Sequence, residues 1–252
     1  MRLLIIAILA CQATASTTRG WVPKFENLIS FGDRCVSLKT RDLILTVNSY
    51  TDEGRAAYYN ANKGPPPAGT MLPPTNITAG GGITWPRYVS NISGAKLFNY
   101  AVSGAACSDK IVSRWSAAAN QLAPDVVSEV DAFVRDVQWK NASTGTNTLF
   151  GNKRKSDNTV YALWVGTNDL GARGFLTDMN VRGKVIPDYV DCIFDEFDRV
   201  YEQGGRYFVL FNTPALEYSP LYGLPENGAL TVSKYWPDKV SKVFTKLSRI
   251  LI

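Results

Sequence analysis

The 252-residue sequence contains no histidine at all, and only four cysteines and three methionines. Without an imidazole the chain lacks the side chain that most often acts as general base near neutral pH, and also the commonest metal ligand. The cysteines, at 11, 35, 107 and 192, are too far apart to form a C-x-x-C pair, which excludes zinc-finger chemistry. No cofactor or metal is therefore expected. Beyond residue 15 no run of about 18 apolar residues occurs, so no stable membrane insertion is expected there. Excess charge is also scarce in the body of the chain. The formal charge is +5, but Arg2, residues 34–48 and residues 240–252 carry a net +6 between them, leaving the remainder at −1. With no basic stripe there, a nucleic-acid partner is excluded.

The chain does have an apolar content of 45% with six Trp, twelve Tyr and eleven Phe, enough for one well-buried domain. Residues 1–15 have the order of a secretory signal peptide. Arg2 is the charged region, Leu3 to Ala10 the apolar region, and Ala13-Thr14-Ala15 a small-residue cleavage site before Ser16. An uncleaved anchor is the bland alternative. A secreted, extracellular chain gives meaning to three glycosylation acceptors, Asn76-Ile77-Thr78, Asn91-Ile92-Ser93 and Asn141-Ala142-Ser143. Cys11 leaves with the signal and Cys35 lies in an insert described below. Cys107 and Cys192 remain, free to pair with each other or with partners elsewhere.

Four segments predict buried parallel strands: 27–33, 97–102, 159–165 and 206–212. Helical spacing predicts one helix opened by Pro124, with Val126, Val127, Val130, Phe133, Val134 and Val137 on one stripe. It predicts another from Pro187, with Val190, Ile193, Phe194, Phe197, Val200 and Tyr201 on one face and Gly204-Gly205 as its stop. Strands alternating with helices imply an α/β domain with a central parallel sheet. Residues 60–86, rich in Pro and Gly, predict a long irregular excursion of the kind that shapes ligand sites.

Three short blocks carry the chemistry. The first is split: Phe31-Gly32-Asp33 and Ser49-Tyr50-Thr51-Asp52-Glu53-Gly54-Arg55 join into one block if residues 34–48 are set aside. The second is Asn99 to Ala105, centred on Val102-Ser103-Gly104. The third is Gly166-Thr167-Asn168-Asp169, directly after a strand. An acyl-transfer site needs a serine on a tight turn and donors aimed where an oxyanion forms. In such a site Ser49 would supply the nucleophile and one N–H, Gly104 a second N–H, and Asn168 a side-chain amide. Each block alone is an ordinary strand end or turn. Gly145-Thr146-Asn147 repeats the start of the third, but without a strand before it.

These blocks, in this order, resemble the GDSL (SGNH) hydrolases, and in particular the secreted fungal esterases of the acetylesterase type. Further stretches that carry the likeness include Thr84 to Tyr88, Tyr161 to Leu170, Arg206 to Asn212, Pro225 to Gly228 and Lys234 to Lys239. The resemblance implies a three-layer, flavodoxin-like α/β fold with its C-terminal part missing. It also implies a monomer, an acyl-enzyme mechanism on Ser49, and acetylated carbohydrate fragments as substrate. It covers residues 20–239 apart from the insert 34–48, with 240–252 as an aberrant tail.

Two departures stand against activity. The resemblance calls for an Asp-x-x-His motif near the C-terminus, and the sequence has none, so no catalytic Asp or His is assigned. The insert parts Asp33 from the serine that should follow it. Codons permitted for Arg34-Cys35-Val36, Asn48-Ser49 and Val240-Ser241 accommodate splice boundaries, so both 34–48 and the tail read as translated intron. The tail is otherwise a short packing helix or a basic surface helix, with Val240, Val243, Phe244, Leu247, Ile250 and Leu251 at helical spacing. The chain as written is expected to be inactive. The rival readings are a non-catalytic carbohydrate-binding remnant using Trp85, Tyr88 and Trp236, and a lipase acting on longer acyl esters.

Overall fold

The computed structural model describes residues 25–32, 35–36, 39–40, 43–44, 48–76, 78, 81–171 and 173–213. The leader 1–15, Trp236 and the 240–252 tail lie outside the described residues.

Four parallel strands form the central sheet: β1 (Asn27–Phe31), β2 (Lys96–Asn99), β3 (Thr159–Trp164) and β4 (Tyr207–Phe211). Their spatial order is β4-β3-β1-β2. This is the order of a doubly wound, flavodoxin-like sheet, in which the chain reverses its direction of travel between β1 and β3. The carboxyl ends of those two strands open the crevice where such sheets bind ligands. The register places Ile29 beside Phe98 and Tyr161, and Leu28 beside Leu97 and Val160. Successive side chains along a strand point to opposite faces, so these two rows found two separate cores.

Five α-helices are described: α1 (Arg55–Asn62), α2 (Trp85–Ser93), α3 (Val126–Gln138), the single turn α4 (Thr167–Leu170) and α5 (Ile186–Glu202). On one face α3 and α5 cover Ile29, Phe31, Phe98, Tyr100, Tyr161 and Leu163. Phe133 of α3 sits at the centre of that core, edge-on to Phe31, Tyr100, Phe150 and Tyr161 at centroid separations of 5.7 to 6.1 Å. On the other face Trp85 and Val89 of α2 pack over Leu28, Leu97 and Ala162. The result is the expected three-layer α/β arrangement.

The element ends differ from the sequence reading for local reasons. β2 stops at Asn99, three residues before the predicted end. There the Asn99 side chain accepts the Ala101 N–H at 3.1 Å and draws the backbone off the ladder. Pro124 precedes α3 rather than opening it. Asp125 takes the cap, its carboxylate accepting the Ser128 N–H at 2.8 Å. Pro187 does fall in the first turn of α5, where its missing N–H costs nothing. Gly204 follows the helix in the left-handed region at φ +92°.

Two other predicted features gain a shape. Within the 60–86 excursion, whose ends fall in α1 and α2, Pro66 accepts from Arg135 and the Gly69 N–H bonds Asp136, which lays this part against α3. The insert closes on itself through two nested antiparallel pairings, 35–36 with 48–49 and 39–40 with 43–44. Cys35 is the partner of Ser49. The stretch that separates the serine from β1 in sequence thus returns to its own starting point in space.

Candidate active site

Ser49 is buried, and its hydroxyl oxygen accepts the N–H groups of Asp52 at 2.6 Å and Thr51 at 3.1 Å. This winds residues 49–52 into a tight turn before α1. The turn is tied to its surroundings on three sides. Asn99 donates its side-chain N–H to the Thr51 carbonyl at 2.5 Å, and the Trp85 indole N–H bonds the Thr51 hydroxyl at 3.0 Å. Arg87 of α2 clasps the Glu53 carboxylate with two N–H groups at 3.0 and 2.8 Å, and Thr84 adds a third donor at 3.2 Å. A planar guanidinium makes that two-point grip; a lysine cannot.

Gly104 lies in a turn closed by the Ala105 N–H bonding the Val102 carbonyl at 3.0 Å. Its φ is +88°, and a Cβ built there would meet nothing within 4 Å. Backbone conformation, not crowding, therefore demands glycine at this position. Gly32, at the end of β1, meets both demands, since its φ is +76° and its surroundings are crowded as well. A Cβ there would lie 2.5 Å from the Trp164 carbonyl oxygen, so β1 and β3 can approach closely only because residue 32 is glycine.

Asn168 sits on α4 directly after β3, buried, with its side-chain amide donating to the Ala105 carbonyl at 2.8 Å. Its neighbour Asp169 is fully buried and accepts the Cys107 N–H at 2.8 Å. Burial pushes the Asp169 carboxyl up to about 7, against the pull of the Cys107 N–H and the positive charge of Arg114. Cys107 is bonded to Cys192 of α5, which settles the pairing left open by the sequence. Ser49, Gly104 and Asn168 thus stand on three segments that hydrogen-bond to one another at the carboxyl ends of the strands.

Several residues of this assembly escape sequence reasoning. Asp52 accepts the N–H groups of Gly54, Arg55 and Ala56 at 2.6 to 3.0 Å, and of Ser103 at 2.8 Å. Burial holds its carboxyl above the usual range, against the opposing pull of those four donors. An aspartate three residues before the first helical N–H it bonds is a recognisable cap, so this role left a signal. Glu129 left none, because its partners Gly32 and Val102 are 97 and 27 residues away.

The remaining sequence candidates fall elsewhere. Asn147 of the Gly145-Thr146-Asn147 repeat caps the end of α3 by donating to the carbonyls of Asp136 and Val137. Of the glycosylation acceptors, Asn76 and Asn91 are exposed, the latter on α2, whereas Asn141 is half-buried and accepts the N–H of Ser143. Among the described residues no helix is long and apolar enough to cross a membrane.

Parallel strands in this order, with three cross-bonded blocks at the crevice, define a doubly wound α/β domain whose candidate site lies at the topological switch point of the sheet. A family model described as GDSL-like Lipase/Acylhydrolase matches residues 49–250, and the chain belongs to that family. The match begins at Ser49, on the far side of the insert. An acetylesterase of Hypocrea jecorina is 39% identical over 218 residues, 85% of this chain and 56% of the relative. An acetylesterase of Thermothelomyces thermophilus is 27% identical over 211 residues, 80% of this chain and 65% of the relative. The chain spans less than two thirds of the length of either.

Proposed function

We propose that Ser49 is the nucleophile of an acyl-transfer site that removes acetyl groups from carbohydrate esters. The serine oxygen attacks the ester carbonyl, and the oxyanion is held by the N–H groups of Ser49 and Gly104 and the side-chain amide of Asn168. Collapse expels the sugar alcohol and leaves an acetyl-serine, which water cleaves in the second half of the cycle. The observation that carries this reading is the set of hydrogen bonds linking Thr51 to Asn99, Asp52 to Ser103, and Ala105 to Asn168. They hold the three blocks together at the crevice of the sheet, where misplacement of about 1 Å can cost 10²-fold.

The serine proton needs an acceptor, and this chain has no histidine to provide one. Oxyanion donors and binding alone sustain about 10³–10⁴ over water when members of a triad are removed. The chain as written therefore turns over acetyl esters slowly or not at all. Its setting is extracellular and monomeric, with Asn76, Asn91 and Asn141 as glycan acceptors. The carbohydrate-binding alternative draws support from Tyr88, which is 56% exposed on α2, whereas Trp85 packs over the core.

Secreted expression separates these readings. A fluorophosphonate probe at alkaline pH is expected to form its adduct on Ser49, as located by mass spectrometry, and on no site in Ser49→Ala. Acetate release from acetylated xylo-oligosaccharides is expected to match that of Ser49→Ala. Adducts only at other residues would remove Ser49 from the mechanism. Release lost on Ser49→Ala would show the chain to be active. Sugar binding unchanged by Ser49→Ala, with no adduct, would favour the binding remnant.

A further inference from the structure

Two buried carboxylates outside the acyl-transfer set converge on the loop that carries Gly104. Glu129, from α3, is 2% exposed; one of its oxygens accepts the Val102 N–H at 2.8 Å and the other accepts the Gly32 N–H at 2.5 Å. Asp52, from the segment after Ser49, is 6% exposed; one oxygen accepts the Ser103 N–H at 2.8 Å while the other caps the first turn of α1 through Gly54 and Arg55. Val102 and Ser103 are the two residues immediately before Gly104. Their consecutive N–H groups are therefore each held by a different carboxylate.

These two bonds hold the backbone on its approach to Gly104, and the Ala105 N–H bonded to the Val102 carbonyl at 3.0 Å closes the turn on the other side of it. Each carboxylate also has its second oxygen on the nucleophile side of the crevice, at the end of β1 or at the start of α1. The oxyanion loop is thus referenced twice to the segments that flank the serine. Each carboxyl group bridges two segments through separate oxygens, which suits a clamp that must not drift. Burial also commits the pair to this task, because a carboxylate at such a depth is costly unless its lone pairs are filled.

Resting on the proposed role of Gly104, we infer that Asp52 and Glu129 are positioning residues that aim the Gly104 N–H at the oxyanion. Neither touches the substrate; both act through the backbone of Val102 and Ser103. An amide in either place keeps the size but turns an N–H₂ toward a backbone N–H, so one side of the clamp opens.

The test uses the full chain with Asp52→Asn and Glu129→Gln, read in two independent ways. Hydrogen exchange at Val102 and Ser103 is expected to be slow in the parent and at least 10-fold faster in the corresponding variant. Phosphonylation of Ser49 is expected to lose about 10²-fold in its maximal rate, with little change in the probe concentration giving half that rate. A merely structural role would lower the melting temperature without that split. Unchanged exchange in both variants overturns the inference, as does faster exchange with an unaltered maximal rate. Should either variant fail to fold, the parent decides: exchange at Val102 and Ser103 as fast as at Lys110 in the following turn overturns it. If Ser49 takes no probe in the parent, the role of Gly104 falls, while exchange still reports on the clamp.

Discussion

Cys107 donates its backbone N–H to one oxygen of Asp169 at 2.8 Å, while the other oxygen of that carboxyl is buried with no hydrogen-bond partner. The aspartate is therefore half satisfied, and burial holds it protonated up to a pH of about 7. In the unfolded chain it ionises near its ordinary value of 3.8. Between those values the unfolded state releases a proton that the folded state keeps, so folding stability falls as pH rises.

The expected outcome is a melting temperature that declines from pH 5 to pH 7 and flattens above. Asp169→Asn should remove part of that slope, the difference reaching at most about 4 kcal/mol. Glu196, pushed up to about 7 by burial, contributes a slope of the same sign, so the comparison must be of variant against parent. Parallel pH profiles for the two proteins would refute it.

The Cys107–Cys192 bond closes a loop across 85 residues and joins the second block to α5. Replacing both cysteines by alanine frees the unfolded chain, and the expected cost is about 2–5 kcal/mol. Denaturant titration measures it. The single substitution Cys107→Ala should cost no less and should leave Cys192 open to a thiol reagent on unfolding.

Gly32→Ala and Gly104→Ala should separate two uses of glycine. The first adds left-handed strain and also pushes a methyl group into the Trp164 carbonyl, and overpacking of that kind costs roughly 1–3 kcal/mol or prevents folding. The second meets no atom and bears only the left-handed strain, on the order of 1 kcal/mol. Gly104→Ala is therefore expected to fold with a small loss of melting temperature and slower phosphonylation of Ser49. Equal losses from the two would contradict the described geometry.

Deleting residues 34–48 joins Asp33 to Ser49. Because the stretch closes through the pairing of Cys35 with Ser49, its removal should leave the sheet intact. The entropy of closing a loop of this length changes slowly with length, so stability should shift by no more than about 1–2 kcal/mol. Faster labelling of Ser49 than in the parent is expected. A deletion variant that no longer folds would mean that the pairings hold the domain together.

Much of the sheet and helix pattern was legible because periodicity is local. The Val160 to Trp164 strand and the Val190 to Val200 stripe needed only neighbouring residues to be seen. Asn99 ended its strand early through its own side chain, a competition that hydrophobic pattern does not report. The two-residue pairings within 34–48 are too short for any alternation to show. The three blocks were legible as types in order, but their mutual tethering was not. Glu129 and Asp136 occupy the polar positions of an amphipathic helix and look like solvent-facing acids until distant backbone N–H groups meet them.

The disulfide also has a consequence in time. Cys107 leaves the ribosome on the order of 10 s before Cys192, at ordinary rates of chain elongation. Until α5 arrives, the loop beside Gly104 waits with a free thiol, and only an oxidising compartment will close the bond. The same polypeptide made in a reducing compartment would share every residue of the site and lack the strap across it. The choice of expression host is in this sense part of the protein's covalent structure.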